Sequence, residues 1–271
     1  MANKNPPKIG FAEVGGGRIY YEILGKGHPL VLIHSGITDS RMWDDQFPVF
    51  AKHFQVVRYD VRGFGKTRMP ENEFTLHSDL CDLLHELGIR KTHLLGCSMG
   101  GYTAINFALE YPEMVSGLVL VGSGLGGFEM KDKTVIDQWK KIDELIEQKE
   151  YSQAADLEID LWVAGPQRSL EEMGEPLRNR IREMLIPSYS IPSGELKELD
   201  PAAFDRLDEI KAPTLVLVGE LDALGMLDTA DILANKIQGA KKLVMFGVAH
   251  LPNMEAPKEF SKIVLDFLTS L

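Results

Sequence analysis

Gly96-Cys97-Ser98-Met99-Gly100 sets a serine between glycines at the end of an apolar run, residues 92–97, and at the start of a helix-forming one. A G-x-S-x-G string acquires meaning from that setting, because a sharp strand-to-helix turn holds the hydroxyl clear of a sheet. Glycine tolerates the close backbone crossing that such a turn demands. The Met99 N–H then lies at a helix start, near any negative charge that develops on a bound carbonyl oxygen. A hydroxyl is a weak nucleophile until a base removes its proton. The chain order expected for that machinery is serine, acid, histidine. Of seven histidines only His250 follows Ser98, in a turn just past the run 242–246. The acid is expected beyond the run 214–218, where Glu220 and Asp222 both occur. Asp222 is the choice, being further out and freer to reach the imidazole and hold its tautomer. Glu220 stands second and Asp228 third.

The second donor for an oxyanion belongs in the loop after the run 29–35, at His34-Ser35-Gly36-Ile37. The Gly36 N–H is the candidate, with Ile37 behind it; with Met99 it makes a two-donor hole, each donor contributing ~3 kcal/mol in the transition state. Cys97 lies on the wrong side of the turn to be the nucleophile and reads as a small apolar filler. Gly122-Ser123-Gly124-Leu125-Gly126-Gly127 fits a dinucleotide fingerprint, but a helix and no further strand follows it. Those glycines read as a hinge. Asp60 to Gly65 reads as a structural loop.

These positions require a sheet to carry them. Strand-like runs fall at 9–14, 18–24, 29–35, 54–60, 92–97, 115–121, 214–218 and 242–246, with Gly15-Gly16-Gly17 joining the first two as a hairpin. Helical spacing falls between most of them, at 41–50, 74–87, 100–110, 227–237 and 260–268. Strands alternating with helices imply a mostly parallel, eight-stranded sheet flanked by helices. From 125 to 208 no buried strand run occurs, while 134–148 and 154–163 look helical. This stretch reads as a helical cap inserted into a core of residues 1–124 and 209–271. Residues 125–205 hold 18 acidic and 10 basic side chains, most of the chain's net charge of −11. Phe128, Trp139, Trp162, Met173 and Met184 are its candidates for an acyl pocket, with helix packing the commoner fate of such residues.

The 271 residues, 44% hydrophobic and 25% charged, are those of a globular chain with one large core. The acidic balance argues against a nucleic-acid partner and weakly against polyanionic substrates such as acyl-CoA. No apolar run has the length of a membrane span. The first residues lack a basic-then-apolar signal pattern, so a cytoplasmic home is expected. Two cysteines make no disulfide framework and no metal site.

Taken together, His34-Ser35-Gly36, Asp60 to Gly65, Gly96 to Gly101, Gly219 to Asp222 and Ala249 to Pro252 resemble the α/β-hydrolase superfamily over nearly the whole chain. Within it the chain looks like small bacterial carboxylesterases and enol-lactone hydrolases. The resemblance implies the α/β-hydrolase fold with a cap, and hydrolysis of small esters through an acyl-enzyme without metal or organic cofactor. A lactonase or C–C bond hydrolase with the same triad is the alternative in chemistry, and a non-catalytic ligand receptor the alternative in class. Two departures stand out. Ser35 occupies a usual glycine position, and Asp222-Ala223-Leu224 lacks a proline common after the acid.

Overall fold

A computed structural model describes residues 6–129 and 131–271. Strand β1 (Lys8–Val14) turns into β2 (Gly17–Gly25) through Gly15 and Gly16, at φ 56° and 77°. Both lie in the left-handed region that a two-residue hairpin needs, and glycine adopts it without a Cβ penalty. Apart from a short parallel pair, Glu73–Phe74 with Glu195–Leu196, the other strands are β3 (Pro29–Ile33), β4 (Gln55–Tyr59), β5 (Thr92–Cys97), β6 (Val115–Val121), β7 (Thr214–Gly219) and β8 (Lys241–Met245). They form one eight-stranded sheet in the order β1-β2-β4-β3-β5-β6-β7-β8. Strand β2 runs antiparallel to β1 and β4, and every other pairing is parallel.

Successive side chains of a strand point to opposite faces, so an unbroken apolar run serves two cores. Val31, Leu94, Leu118 and Val216 pack on one face with helices α1 (Leu76–Glu86), α2 (Met99–Glu110) and α6 (Leu224–Lys236). Leu30, Leu95, Val119 and Leu217 pack on the other with Trp43, Phe50 and α7 (Pro257–Leu268). The helix expected at 41–50 divides into a 3-10 turn, Ser40–Trp43, and a single α turn, Phe47–Phe50, which carries Pro48 in its first turn.

Between β6 and β7 come α3 (Lys133–Glu147), α4 (Tyr151–Glu158) and α5 (Glu175–Ser188). Helix α4 continues as a π-helical turn, Ile159–Ala164. No expectation covered α5. Five of its 14 residues are charged, Pro187 interrupts it, and only Ile181, Met184 and Leu185 are buried. Val135, Ile142, Ala154 and Leu161 make a small core within this segment. Ile159, Val163, Met173, Ile181 and Met184 instead join the core on the β3–β5 face. Thus Met173 and Met184 serve packing, whereas Trp139 remains 38% exposed.

Candidate active site

Ser98 stands between β5 and α2 at φ 54°, ψ −114°. A non-glycine residue in this region is strained, and such strain persists only where surrounding structure imposes it. The imposing contacts are backbone ones. The Ser98 N–H donates to Val121 O at 2.9 Å, and its carbonyl accepts from Tyr102 N–H at 3.0 Å and Gly124 N–H at 3.1 Å. A Cβ on Gly96 would be driven into the Gly100 carbonyl, and one on Gly100 into the Ile33 carbonyl. Both glycines of the pentapeptide are therefore steric requirements of the turn. Cys97, wholly buried, presses its thiol toward the His250 carbonyl, Sγ to O 3.6 Å, and burial pushes its pKa up. It stays a neutral filler, as expected.

The acid and the histidine sit on two loops that zip together past β7 and β8. Glu220 N–H donates to Met245 O at 2.8 Å and Leu221 N–H to Val248 O at 3.0 Å. At their far end Asp222 Oδ2 lies 2.9 Å and Oδ1 3.1 Å from His250 Nδ1. Oδ1 also accepts from Ala223 N–H at 2.8 Å. Asp222 is fully buried and His250 nearly so. An ionised carboxylate only accepts, so Nδ1 carries the proton and Nε2 has the free lone pair. Glu220 points elsewhere, its carboxylate accepting from Gly247 N–H at 3.1 Å, and Asp228 is exposed on α6. Of the three candidate acids, only Asp222 meets the ring.

Ser98 and His250 flank the loop that begins at Gly122. A Cβ on Gly122, at φ 45°, would lie 3.0 Å from both His250 Nδ1 and Asp222 Oδ2. Two residues on, Gly124 binds the Ser98 carbonyl. The glycine string that read as a hinge is also the wall against which the Asp222–His250 pair packs. No hydrogen bond within 3.5 Å joins Ser98 Oγ to His250 Nε2. Such bonds are commonly loose before substrate binds.

Opposite them lies the loop after β3. A Cβ on Gly36 would sit 3.7 Å from Met99 Cβ, so the two residues expected to supply the oxyanion donors are neighbours. Among the described residues the N–H groups of Gly36, Ile37 and Met99 meet no protein acceptor. Gly36 and Met99 are part-exposed, while Ile37 is buried. His34 anchors this loop, a role the sequence reading did not assign. Its Nε2 accepts from Val61 N–H at 2.9 Å, so its Nδ1–H donates to Ser35 O at 2.8 Å. Burial lowers the His34 pKa and keeps the ring neutral, as both bonds require. Ser35 fits a usual glycine position by turning its hydroxyl onto Thr38 Oγ1, 2.9 Å away. Asp60 braces the neighbouring loop by accepting from Ser40 N–H at 3.0 Å and Lys66 N–H at 2.7 Å.

A residue of the segment between β6 and β7 also reaches the ring. Trp162, from the π-helical turn, stacks on His250 with centroids 4.8 Å apart and planes at 33°. The spacing of Trp162 in the sequence carries no sign of that contact. Among the described residues, no group of three or more His, Cys, Asp or Glu side chains is arranged to hold a metal ion. None of the helices described is long and apolar enough to cross a membrane.

A strained serine, a carboxylate-bound histidine and two free amides at the C-terminal edge of a parallel sheet define a class of hydrolytic site. The family model described as the alpha/beta hydrolase fold matches residues 28–257. The chain belongs to this family of hydrolases. It is 27% identical over 267 residues to the Escherichia coli 2-hydroxy-6-oxononadienedioate/2-hydroxy-6-oxononatrienedioate hydrolase, covering 93% of this chain and 91% of that one. A hydrolase from Pseudomonas aeruginosa superposes with TM-score 0.80 at 29% identity, over 97% of this chain and 99% of that one. The enol-lactonase of Burkholderia xenovorans gives 0.79 at 26% identity, over 96% and 100%.

Proposed function

We propose that the protein is a serine hydrolase of small, uncharged carboxylic esters that works through an acyl-enzyme. The observation that carries this reading is the Asp222–His250 hydrogen bond, buried beside a serine held at positive φ. In the proposed cycle Ser98 Oγ attacks the ester carbonyl carbon while its proton passes to His250 Nε2. The carbonyl oxygen becomes an oxyanion facing the Gly36 and Met99 N–H groups, whose preorganised dipoles favour the charge. Collapse re-forms the carbonyl and breaks the bond to the alcohol, which leaves with the proton from His250. Water then gives a proton to His250 and attacks the acyl carbon. Ser98 regains its proton as the carboxylic acid departs. Asp222 holds the Nδ1–H tautomer and favours the imidazolium that forms twice per cycle.

The acidic surplus of the segment between β6 and β7 supports an uncharged substrate, since it repels anionic esters approaching that face. Lactone opening uses the same groups, and the enol-lactonase likeness keeps it as the second reading. C–C bond hydrolysis, which the name of the E. coli relative carries, is the third. A panel of p-nitrophenyl esters, lactones and vinylogous diketones separates the three by kcat/KM. In the same assay Ser98→Ala is expected to abolish p-nitrophenyl acetate turnover with its melting temperature nearly unchanged. Full activity in that variant overturns the nucleophile. A receptor on this fold, the reading of another class, would bind without sustained turnover, so steady release after the first equivalent decides against it.

A further inference from the structure

The segment Ile159 to Arg168 touches the histidine loop at more points than packing alone calls for. Trp162 lays its indole on the His250 ring, 4.8 Å between centroids, and its carbonyl accepts the His250 N–H at 3.4 Å. Six residues on, Arg168 caps the end of the π-helical turn, donating to Ala164 O at 2.9 Å and Val163 O at 2.8 Å. The same guanidinium pairs with Glu255 Oε2 at 2.8 Å, while Glu255 Oε1 accepts from Ala249 N–H, also at 2.8 Å. Between these anchors Gly165, at φ 77°, lies so close that a Cβ there would strike the Leu221 carbonyl. Thus the segment is fastened to the backbone of Ala249, of His250 and of the residue before Asp222. The side chain held at the centre of those fastenings is an electron-rich aromatic face against the imidazole.

We propose that Trp162 is a positioning residue for His250: its indole fixes the ring plane against Asp222 and favours the imidazolium that forms during turnover. The proposal rests on the serine-hydrolase reading for its effect on rate, though not for the contact itself. An aromatic face attracts a cation lying over it, and this attraction appears only when the ring is charged. It therefore lowers the barrier in the charged steps and leaves ground-state binding of a neutral ester nearly alone. Trp139, 6.0 Å beyond Trp162 and partly exposed, backs the indole on its far side.

The test uses the full chain in three forms: wild type, Trp162→Leu and Trp162→Phe. Two readouts are taken. One is kcat and KM for p-nitrophenyl acetate; the other is the low-field proton resonance of His250 Nδ1–H, which does not depend on turnover. Trp162→Leu is expected to lose about tenfold in kcat, with KM held within about threefold, and to broaden the Nδ1–H signal. Trp162→Phe, which keeps a smaller aromatic face, is expected to recover most of the loss. If Trp162→Leu does not fold, Trp162→Met preserves bulk without a π face and takes its place. A folded variant with unchanged kcat and a sharp Nδ1–H signal overturns the proposal. So does a loss confined to KM, which would make Trp162 a wall of the substrate pocket. A wild type that hydrolyses no ester or lactone refutes the serine-hydrolase reading instead, and the resonance alone then decides whether Trp162 holds the ring.

Discussion

Asp222 and Glu220 are two residues apart on one loop, yet only one of them turns inward. Strand alternation would put both on one side, but the strand ends at Gly219, and the turn that follows sends Glu220 out to the Gly247 N–H and Asp222 into the buried space against His250. Asp222→Asn keeps the shape and removes the charge. It also permits the wrong tautomer, since an amide can donate to Nδ1 and leave Nε2 protonated. The expected outcome is a fall in kcat on the order of 10³–10⁴ with a nearly unchanged fold, read by steady-state kinetics beside circular dichroism. Glu220→Gln serves as the comparison and should leave kcat within about twofold. The strand-to-helix turn at Ser98 was legible from its glycine motif and flanking runs, and His250 stood out by chain order, which left a single histidine after the serine. The distinction between Asp222 and Glu220 was legible only as a preference. Side-chain direction in a loop follows from what the loop packs on, and that partner is the loop after β8.

At the scale of elements, the glycine string at 122–127 shows how one motif can satisfy two constraints. Its sequence marks a change of direction after β6, and its position puts Gly122 against the acid–histidine pair. Gly122→Ala therefore meets two penalties, a left-handed φ and a Cβ at 3.0 Å from both His250 Nδ1 and Asp222 Oδ2. The variant is expected to lose ~1–3 kcal/mol of stability, and its kcat should fall more than its KM rises. Chemical denaturation and ester kinetics on the same sample check both. A stable, fully active Gly122→Ala would mean that the pair can shift without cost. The strands were readable because buried parallel strands are continuous apolar runs. Helix α5 was not, since tertiary contacts with the β3–β5 face stabilise a charged, proline-bearing stretch that propensity disfavours.

The whole molecule carries a net charge of −11, and at Glu158 the fold places a carboxyl where ionisation opposes folding. Burial between α3, α4 and α5 pushes Glu158 up to about 7; the Tyr189 O–H bond at 3.1 Å opposes that shift and nearby Asp143 adds to it. A carboxyl whose folded pKa exceeds its unfolded value binds its proton more tightly when folded. Its contribution to stability is therefore complete below about pH 4.5 and declines as pH rises through about 7. Glu158→Gln keeps an acceptor for Tyr189 and abolishes the titration. It should be more stable than wild type at pH 8 by ~1–3 kcal/mol, with the gap closing toward pH 5, as measured by denaturant unfolding across that range. A gap that is constant with pH would place the titrating group elsewhere.

By itself the sequence determined the alternation of strands and helices, the turn that bears Ser98, the identity of His250 and the hairpin at Gly15-Gly16. Each of these rests on local rules: side-chain period, glycine's backbone freedom and chain order. Only the tertiary structure decided that Asp222 is the carboxylate at the ring, that Gly122 clears space for the pair, that His34 ties the oxyanion loop to Val61, and that Trp162 lies on the imidazole. Those facts depend on segments far apart in the chain meeting at one edge of the sheet. Contacts between distant segments leave no periodic trace in either one, because each residue is chosen to fit a neighbour that the local pattern does not contain.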